Sequence, residues 1–345
     1  EREAAANERE AAANEREAVA NEREAAANER EATANEREAT ANEREAAHTY
    51  QTAGIGAAFM NKQYGSQSMV ADLQIVVVRL PDAAFGAADP ETWHYAARPF
   101  LPAAQQEHDD FTRRLRDAGC EVIYHAAPLP DHADAIFVHD PVLISNQGAI
   151  ILRMGKQLRR GEEEAMAQQL AAMGVPIHYR LHDDALAEGG DLLWVDERTL
   201  AVGQGFRTNA AGLRQLQEAL PDVDIVPVQL PYYTGPEACL HLMSFISMVD
   251  HDLAVVYPPL MPVPFWQLLQ ARGIRFVAVP DAEFMTMGPN VLAIRPGLCL
   301  MLAGNPVTQQ RLEAAGCTVL TYVGNEISLK AEGGATCLTR PILRG

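Results

Sequence analysis

From Leu73 onward, short apolar runs alternate with stretches in which apolar residues recur every three or four positions, the pattern of an α/β protein. Leu73 to Leu80 reads as a buried strand, and Pro102 to Gly119 as a helix leading into a strand from Glu121 to Tyr124. The next apolar run, Ala135 to Val138, stops at His139-Asp140-Pro141. A strand is expected over Gly148 to Leu152 and a helix over Arg160 to Gly174. Leu192 to Val195 and Thr199 to Gly203 predict a hairpin around Asp196-Glu197-Arg198, followed by a helix from Asn209 to Leu220. The alternation resumes at Ile225, Leu253, Arg275, Val291, Leu298 and Thr318. A recurrence of roughly fifty residues fits a repeat architecture, and an open doubly wound sheet would show the same periodicity.

The first 47 residues follow another rule. They repeat the heptad Glu-Arg-Glu-Ala-Ala-Ala-Asn, with Val19, Thr33 and Thr40 as substitutions. No pairing of positions three or four apart sets one apolar residue against another, an alanine there meeting only Asn, Glu or Arg, so no coiled-coil seam forms. Alanines also stand three and four residues from each arginine, which removes the usual helix-strengthening ion pairs. The segment is expected to be a low-complexity arm, helical and fraying or disordered. Residues 48–72 are read as a linker and lead-in, and residues 73–345 as one folded domain.

With 345 residues and 48% hydrophobic content, the chain can bury a large core. A formal charge of −18, of which the arm supplies −7, argues against nucleic acid or an anionic membrane as a partner and suits a cationic substrate. Pro258, Pro259, Pro262 and Pro264 break the apolar stretch after Leu253, so no membrane span is expected. The five cysteines, at 120, 239, 299, 317 and 337, are odd in number and widely spaced, which fits neither a disulfide framework nor a zinc ribbon. A reduced, cytoplasmic setting follows. Cys120, Cys299 and Cys317 read as core residues, while Cys239 lies close enough to His241 to line a cleft.

Three segments far apart carry groups suited to attack on a guanidinium carbon: Glu188-Gly189-Gly190-Asp191, Leu240-His241-Leu242, and Gly333-Gly334-Ala335-Thr336-Cys337. That delocalised cation is a poor electrophile and calls for a strong nucleophile, carboxylates to orient it, and an acid for the departing nitrogen. The glycine pairs allow tight turns beside each candidate. Asp131-His132-Ala133-Asp134 with His139-Asp140 admits a competing reading as a metal-dependent ureohydrolase. Trp93, His94 and Tyr95 either cover a site or pack against the first module.

The order of Phe137-Val138-His139-Asp140-Pro141, Arg159-Arg160-Gly161-Glu162, Glu188-Gly189-Gly190-Asp191, Arg207-Thr208-Asn209, Leu240-His241-Leu242 and Gly333 to Cys337 resembles the dimethylarginine dimethylaminohydrolases. These belong to the guanidino-modifying (pentein) superfamily with the arginine deiminases and amidinotransferases. The resemblance runs from about Leu73 to Leu343. It implies a five-bladed α/β propeller with pseudo-fivefold symmetry and a central site. It further implies Cys337 as covalent nucleophile, His241 as general acid and base, and Glu188, Asp140 and Asp134 as carboxylates holding the guanidinium. Arg159 and Arg207 match positions that bind the substrate carboxylate. His139 departs from the pattern, since the methylarginine hydrolases carry glutamate there and the arginine deiminases arginine. The activity implied is hydrolysis of a small-molecule guanidine, methylarginine or arginine, to citrulline through a thiouronium intermediate, with no metal or cofactor. An amidinotransferase using the same groups and an amine acceptor is the alternative. The absence of His-x-Asp at His241 leans toward the methylarginine branch. A binding module of this fold would be expected to lack the nucleophile or its partners, and none is missing. A homodimer is carried as a further partner, though no stretch encodes it.

Overall fold

In the computed structural model, which describes residues 63–236 and 240–345, the alternating pattern becomes five three-stranded sheets. The arm, the lead-in up to residue 62 and Cys239 lie outside the described residues. The chain enters through β1 (Leu73–Val78), crosses by helix α1 (Leu101–Asp117) and returns as β2 (Glu121–Tyr124), parallel to β1. The next module runs β3 (Val142–Ser145), β4 (Gly148–Ile151), α2 (Glu162–Ala172) and β5 (Ile177–Arg180). In it β3 and β4 pair antiparallel, while β4 and β5 pair parallel. The same plan repeats in β6 (Leu192–Asp196), β7 (Thr199–Gln204), α3 (Ala210–Ala219) and β8 (Asp224–Gln229). It repeats again in β9 (Ile246–Asp250), β10 (Leu253–Val256), α4 (Val263–Ala271) and β11 (Arg275–Ala278). The last full module is β12 (Val291–Arg295), β13 (Leu298–Leu302), α5 (Pro306–Ala314) and β14 (Thr318–Tyr322). β15 (Arg340–Arg344) then pairs antiparallel with β1, so the first sheet is completed by the end of the chain.

Local sequence accounts for this plan. Each antiparallel pair other than β1–β15 turns on two residues, Asn146-Gln147, Glu197-Arg198, His251-Asp252 or Pro296-Gly297, the tight connection that hairpins favour. A strand followed by a parallel strand needs a crossover, which the helices supply. The middle strands are apolar on both faces: Val76, Val77 and Val78 of β1 and Ala254, Val255 and Val256 of β10 are fully buried. In α1, Ala104, His108, Phe111 and Leu115 fall on one buried stripe, and the Phe111 ring meets Tyr322 of β14 at 4.9 Å between centroids.

Most expected elements are present with ends moved by one or two residues. Ala135 to Val138 instead begins inside a 3₁₀ turn, Ala133–Ile136. Strands β3, β5, β9 and β15 were not expected; β3, β9 and β15 each follow a motif read for its chemistry rather than its periodicity, and β5 alternates half-buried with exposed residues. The lead-in already joins the folded body at Gly65, whose amide donates to Ile342 O at 2.8 Å. No helix among the described residues is long and apolar enough to cross a membrane.

Candidate active site

The first strand of each sheet outside the β1 crossover is preceded by a polar group, and these groups meet. Asp140 stands just before β3, Glu188 and Asp191 before β6, His241 before β9, Asn290 before β12 and Cys337 before β15. Asp140, His241, Asn290 and Cys337 line one cavity of about 520 Å³, together with Asp134, His139, Lys156, Arg159 and Arg207. Trp93, His94 and Tyr95 also face it, and Tyr95 at the same time packs in the core beside Phe85 at 5.9 Å. The cluster thus lines the cavity and, through Tyr95, packs in the core.

Glu188 is wholly buried and caps the 3₁₀ turn Gly189–Asp191. Its Oε1 accepts from the backbone amides of Gly155 (2.8 Å) and Lys156 (3.0 Å), and its Oε2 lies 2.7 Å from His241 Nε2. Arg207 Nη1 approaches the same Oε2 at 3.3 Å. Burial pushes this carboxyl up, but the hydrogen bond and charge of His241 and the charge of Arg207 outweigh it and hold the group at about 2. The ring of His241 also accepts from the Ser244 backbone amide while Ser244 Oγ accepts from the His241 amide at 3.0 Å. With Nδ1 as that acceptor, Nε2 carries the proton that Glu188 receives.

Gly190 is required by this arrangement, because a Cβ there would stand 2.4 Å from His241 Nδ1. Asp191 fixes the segment from the other side: its Oδ1 accepts from Leu242 N at 2.9 Å and its Oδ2 from Thr208 Oγ1 at 2.6 Å. Burial raises Asp191 to about 6.

Asp140 receives Arg159 Nη1 at 2.6 Å and the Gly190 amide at 2.9 Å. Burial opposes its ionisation, yet Arg159, His241 and His139 hold it well below the usual carboxylate range. Arg159 itself is buried, donating also to Glu162 (2.8 Å) and to Phe137 O (3.0 Å). A substrate carboxylate, expected at Arg159, would therefore compete with two carboxylates of the protein. His139 places Nδ1 at 2.8 Å from Thr339 O, so Nδ1 donates. Burial first and Arg340 second keep the ring well below its ordinary value, hence neutral. Asp134 accepts from Tyr95 Oη at 2.7 Å and Lys156 Nζ at 2.6 Å.

The Cys337 thiol is partly accessible, while Cys120, Cys299 and Cys317 are buried. Asn290 Nδ2 lies 3.3 Å from Cys337 Sγ, and its Oδ1 accepts from Thr336 N at 3.0 Å. One carboxylate oxygen each of Asp140 and Glu188 and one nitrogen of His241 lie within 4.8 Å of one another, a donor set that suits a cation, whether a metal ion or a guanidinium. Of the other metal candidates, His132 Nε2 instead meets Arg160 O at 3.0 Å, and Asp134 is taken by Tyr95 and Lys156.

Lys156 and Asn290 did not stand out in the sequence, and Glu162 stood in a quoted motif with no role assigned to it. Glu162 is legible in hindsight as the residue three beyond Arg159, and Asn290 as the polar residue opening a strand. Lys156 left no local signal.

The arrangement can be set beside known proteins. The family described as N,N dimethylarginine dimethylhydrolase, eukaryotic, matches residues 95–344. The N(G),N(G)-dimethylarginine dimethylaminohydrolase of Streptomyces coelicolor is 30% identical over 237 residues, 68% of this chain and 84% of that protein. A crystal structure of the Pseudomonas aeruginosa enzyme, a mutant complexed with citrulline, superposes with a TM-score of 0.65 at 22% identity, covering 78% of this chain and 98% of that one. The N-terminal domain of a cyanobacterial arginine dihydrolase, bound to product, gives 0.68 at 20% identity over 79% of this chain and 98% of that one. These likenesses share a mixed α/β fold of several small sheets. On the match to residues 95–344 and on the Streptomyces relative, the chain belongs to the N,N-dimethylarginine dimethylhydrolase family.

Proposed function

We propose that the protein hydrolyses an arginine-like guanidine, methylarginine or arginine, to citrulline and an amine or ammonia, with Cys337 as nucleophile. The observation that carries this reading is one cavity lined by a partly accessible thiol, an imidazole bonded to a buried carboxylate, and a second carboxylate held ionised beside them. Asp140 and Glu188 hold the guanidinium, with Asp134 lining the same cavity. The Cys337 thiolate adds to the guanidinium carbon, forming the S–C bond. As the C–N bond breaks, the departing amine takes a proton from His241, and a thiouronium remains on sulfur. Water then gives one proton to His241 as its oxygen bonds to the same carbon; collapse breaks the C–S bond, passes the remaining hydroxyl proton to solvent, and releases the ureido product and the thiolate. A cationic substrate beside the thiol favours the thiolate over the thiol, which has a free pKa of about 8.5.

Arg207 lines the cavity and is the guanidinium proposed to receive the substrate carboxylate, a task suited to its planar fork. Arg159 assists at the cost of its grip on Asp140. His139, neutral and with Nδ1 engaged, offers Nε2 as an acceptor for a guanidinium N–H in place of the family's charged groups. The five similar sheets are taken as blades of a propeller about a pseudo-fivefold axis. Their support is the repeated strand order and the convergence on one cavity of Asp140, His241, Asn290 and Cys337 from the starts of four strands, with Glu188 from before a fifth bonded to His241.

The test is citrulline formation from arginine and from asymmetric dimethylarginine, by wild type and Cys337→Ser, without added amine acceptor. Turnover of either substrate that is lost in the variant supports the reading and names the branch. Silence of the wild type toward both overturns it, and turnover only with an amine acceptor replaces it by amidino transfer.

A further inference from the structure

We infer that Asn290 is a positioning residue for the nucleophile, holding Cys337 as a thiolate through its side-chain amide; the inference rests on the proposed role of Cys337. The orientation of the amide is settled by its neighbours. Oδ1 accepts from the backbone N–H of Thr336 at 3.0 Å, so the NH₂ end is the one that lies 3.3 Å from Cys337 Sγ. That contact is a donor aimed at sulfur. A hydrogen bond to the charged form of a group favours that form.

The donor is held from three sides. Asn290 is 5% exposed and opens β12. On either side of it, buried Ser247 of β9 donates from Oγ to Pro289 O at 2.7 Å and accepts from Val291 N at 3.1 Å. Above it, Gly334 leaves the space the amide occupies, since a Cβ there would stand 2.4 Å from Asn290 Cγ. One amide thus ties the residue preceding the nucleophile and the nucleophile's sulfur to the same rigid strand. The other four modules bring an acid, an imidazole or the thiol to the cavity. The amide from the remaining module has the chemistry to hold the sulfur anion without adding charge.

Asn290→Asp keeps an oxygen for Thr336 N and replaces the donor with a carboxylate oxygen of nearly the same shape; because that anion by itself raises a neighbouring thiol, the uncharged Gly334→Ala, which displaces the amide, is measured beside it. The readout is the pH dependence of iodoacetamide alkylation of Cys337, followed by mass spectrometry of its peptide, with thermal melts alongside. In Asn290→Asp the midpoint is expected to rise by about one pH unit or more, making alkylation below the midpoint about tenfold slower. The acid limb of kcat/KM should move with it. A folded Asn290→Asp protein whose profile superimposes on wild type overturns the inference. Gly334→Ala, whose Cβ would stand 2.4 Å from Asn290 Cγ and 2.5 Å from its Oδ1, pushes the whole amide off sulfur without adding charge and decides by the same midpoint: an upward move in the folded variant supports the inference and no move ends it. The reading of Cys337 as nucleophile fails separately, if Cys337→Ser still turns over.

Discussion

A single methyl group at Gly190 should disable the site while leaving the fold standing. The Cβ of Gly190→Ala would lie 2.4 Å from His241 Nδ1 and 2.6 Å from its Cγ. Ordinary contact needs about 3.5 Å, so the ring must retreat by about 1 Å. His241 Nε2 stands 2.7 Å from Glu188 Oε2, and a retreat of that size in most directions takes the pair beyond hydrogen-bonding range. Misplacing a catalytic group by about 1 Å costs on the order of 10²-fold in rate, or about 2.7 kcal/mol of barrier. The stability cost is smaller. Losing a charged hydrogen bond destabilises by roughly 1.5–3 kcal/mol, and replacing glycine at an ordinary φ returns about 0.4–1 kcal/mol through the unfolded chain. The net is about 1–2 kcal/mol, a fall in Tm of a few degrees. The assay is steady-state citrulline production beside a thermal melt. A folded variant with kcat within about threefold of wild type would refute both the ring geometry and the role given to His241.

Glu188→Gln removes the anion that His241 and Arg207 share, and kcat should fall by about 10²- to 10⁴-fold with little change in fold; retention of wild-type kcat would count against the acid–base pair. Arg159→Met strands Asp140 and Glu162 without their counter-charge and should cost about 3–5 kcal/mol, seen as a lowered urea midpoint; an unmoved midpoint would show the network to be inert. His108 is buried with neither ring nitrogen hydrogen-bonded, and burial depresses it to about 3. The unfolded chain takes up this proton near 6.5 and the folded one does not, so His108 lowers stability by about 1.4 kcal/mol per pH unit as pH falls from 6.5 toward the folded value. His125, depressed to about 4, adds to the slope, whereas Asp191, raised to about 6, and Glu162, raised to about 7, work the other way. The prediction is therefore a difference: His108→Leu should show a shallower acid slope than wild type, and parallel slopes would refute it.

The helices and central strands were legible because their burial is periodic: α1 shows its stripe, and β10 is apolar throughout. The missed strands β3 and β9 are equally buried, but each abuts a motif, His139-Asp140 or His241, whose polar residues interrupt the pattern. Cys337, His241, Glu188 and Asp140 were legible as chemistry, and the structure brings them together. Asn290 was not, since an asparagine before a strand is ordinarily a turn residue and its meaning lies in the sulfur it faces 47 positions away. For Arg159 the neighbouring residue types were visible but not the bonds: Glu162 sits three residues on, and only folding shows it sharing the guanidinium with Asp140.

The pairing of β1 with β15 joins the two ends of the folded body, Leu73 opposite Arg344. Such a contact is about the most expensive a chain can close in entropy, and it forms against the longest loop. Cys337 lies a few residues before β15, so the proposed nucleophile reaches the cavity only as β15 completes the first sheet. On the proposed function, partly folded chains are catalytically silent. Recovery of citrulline production during refolding should track the final closing event rather than the earlier growth of helix signal, which makes enzymatic activity a reporter of topological completion.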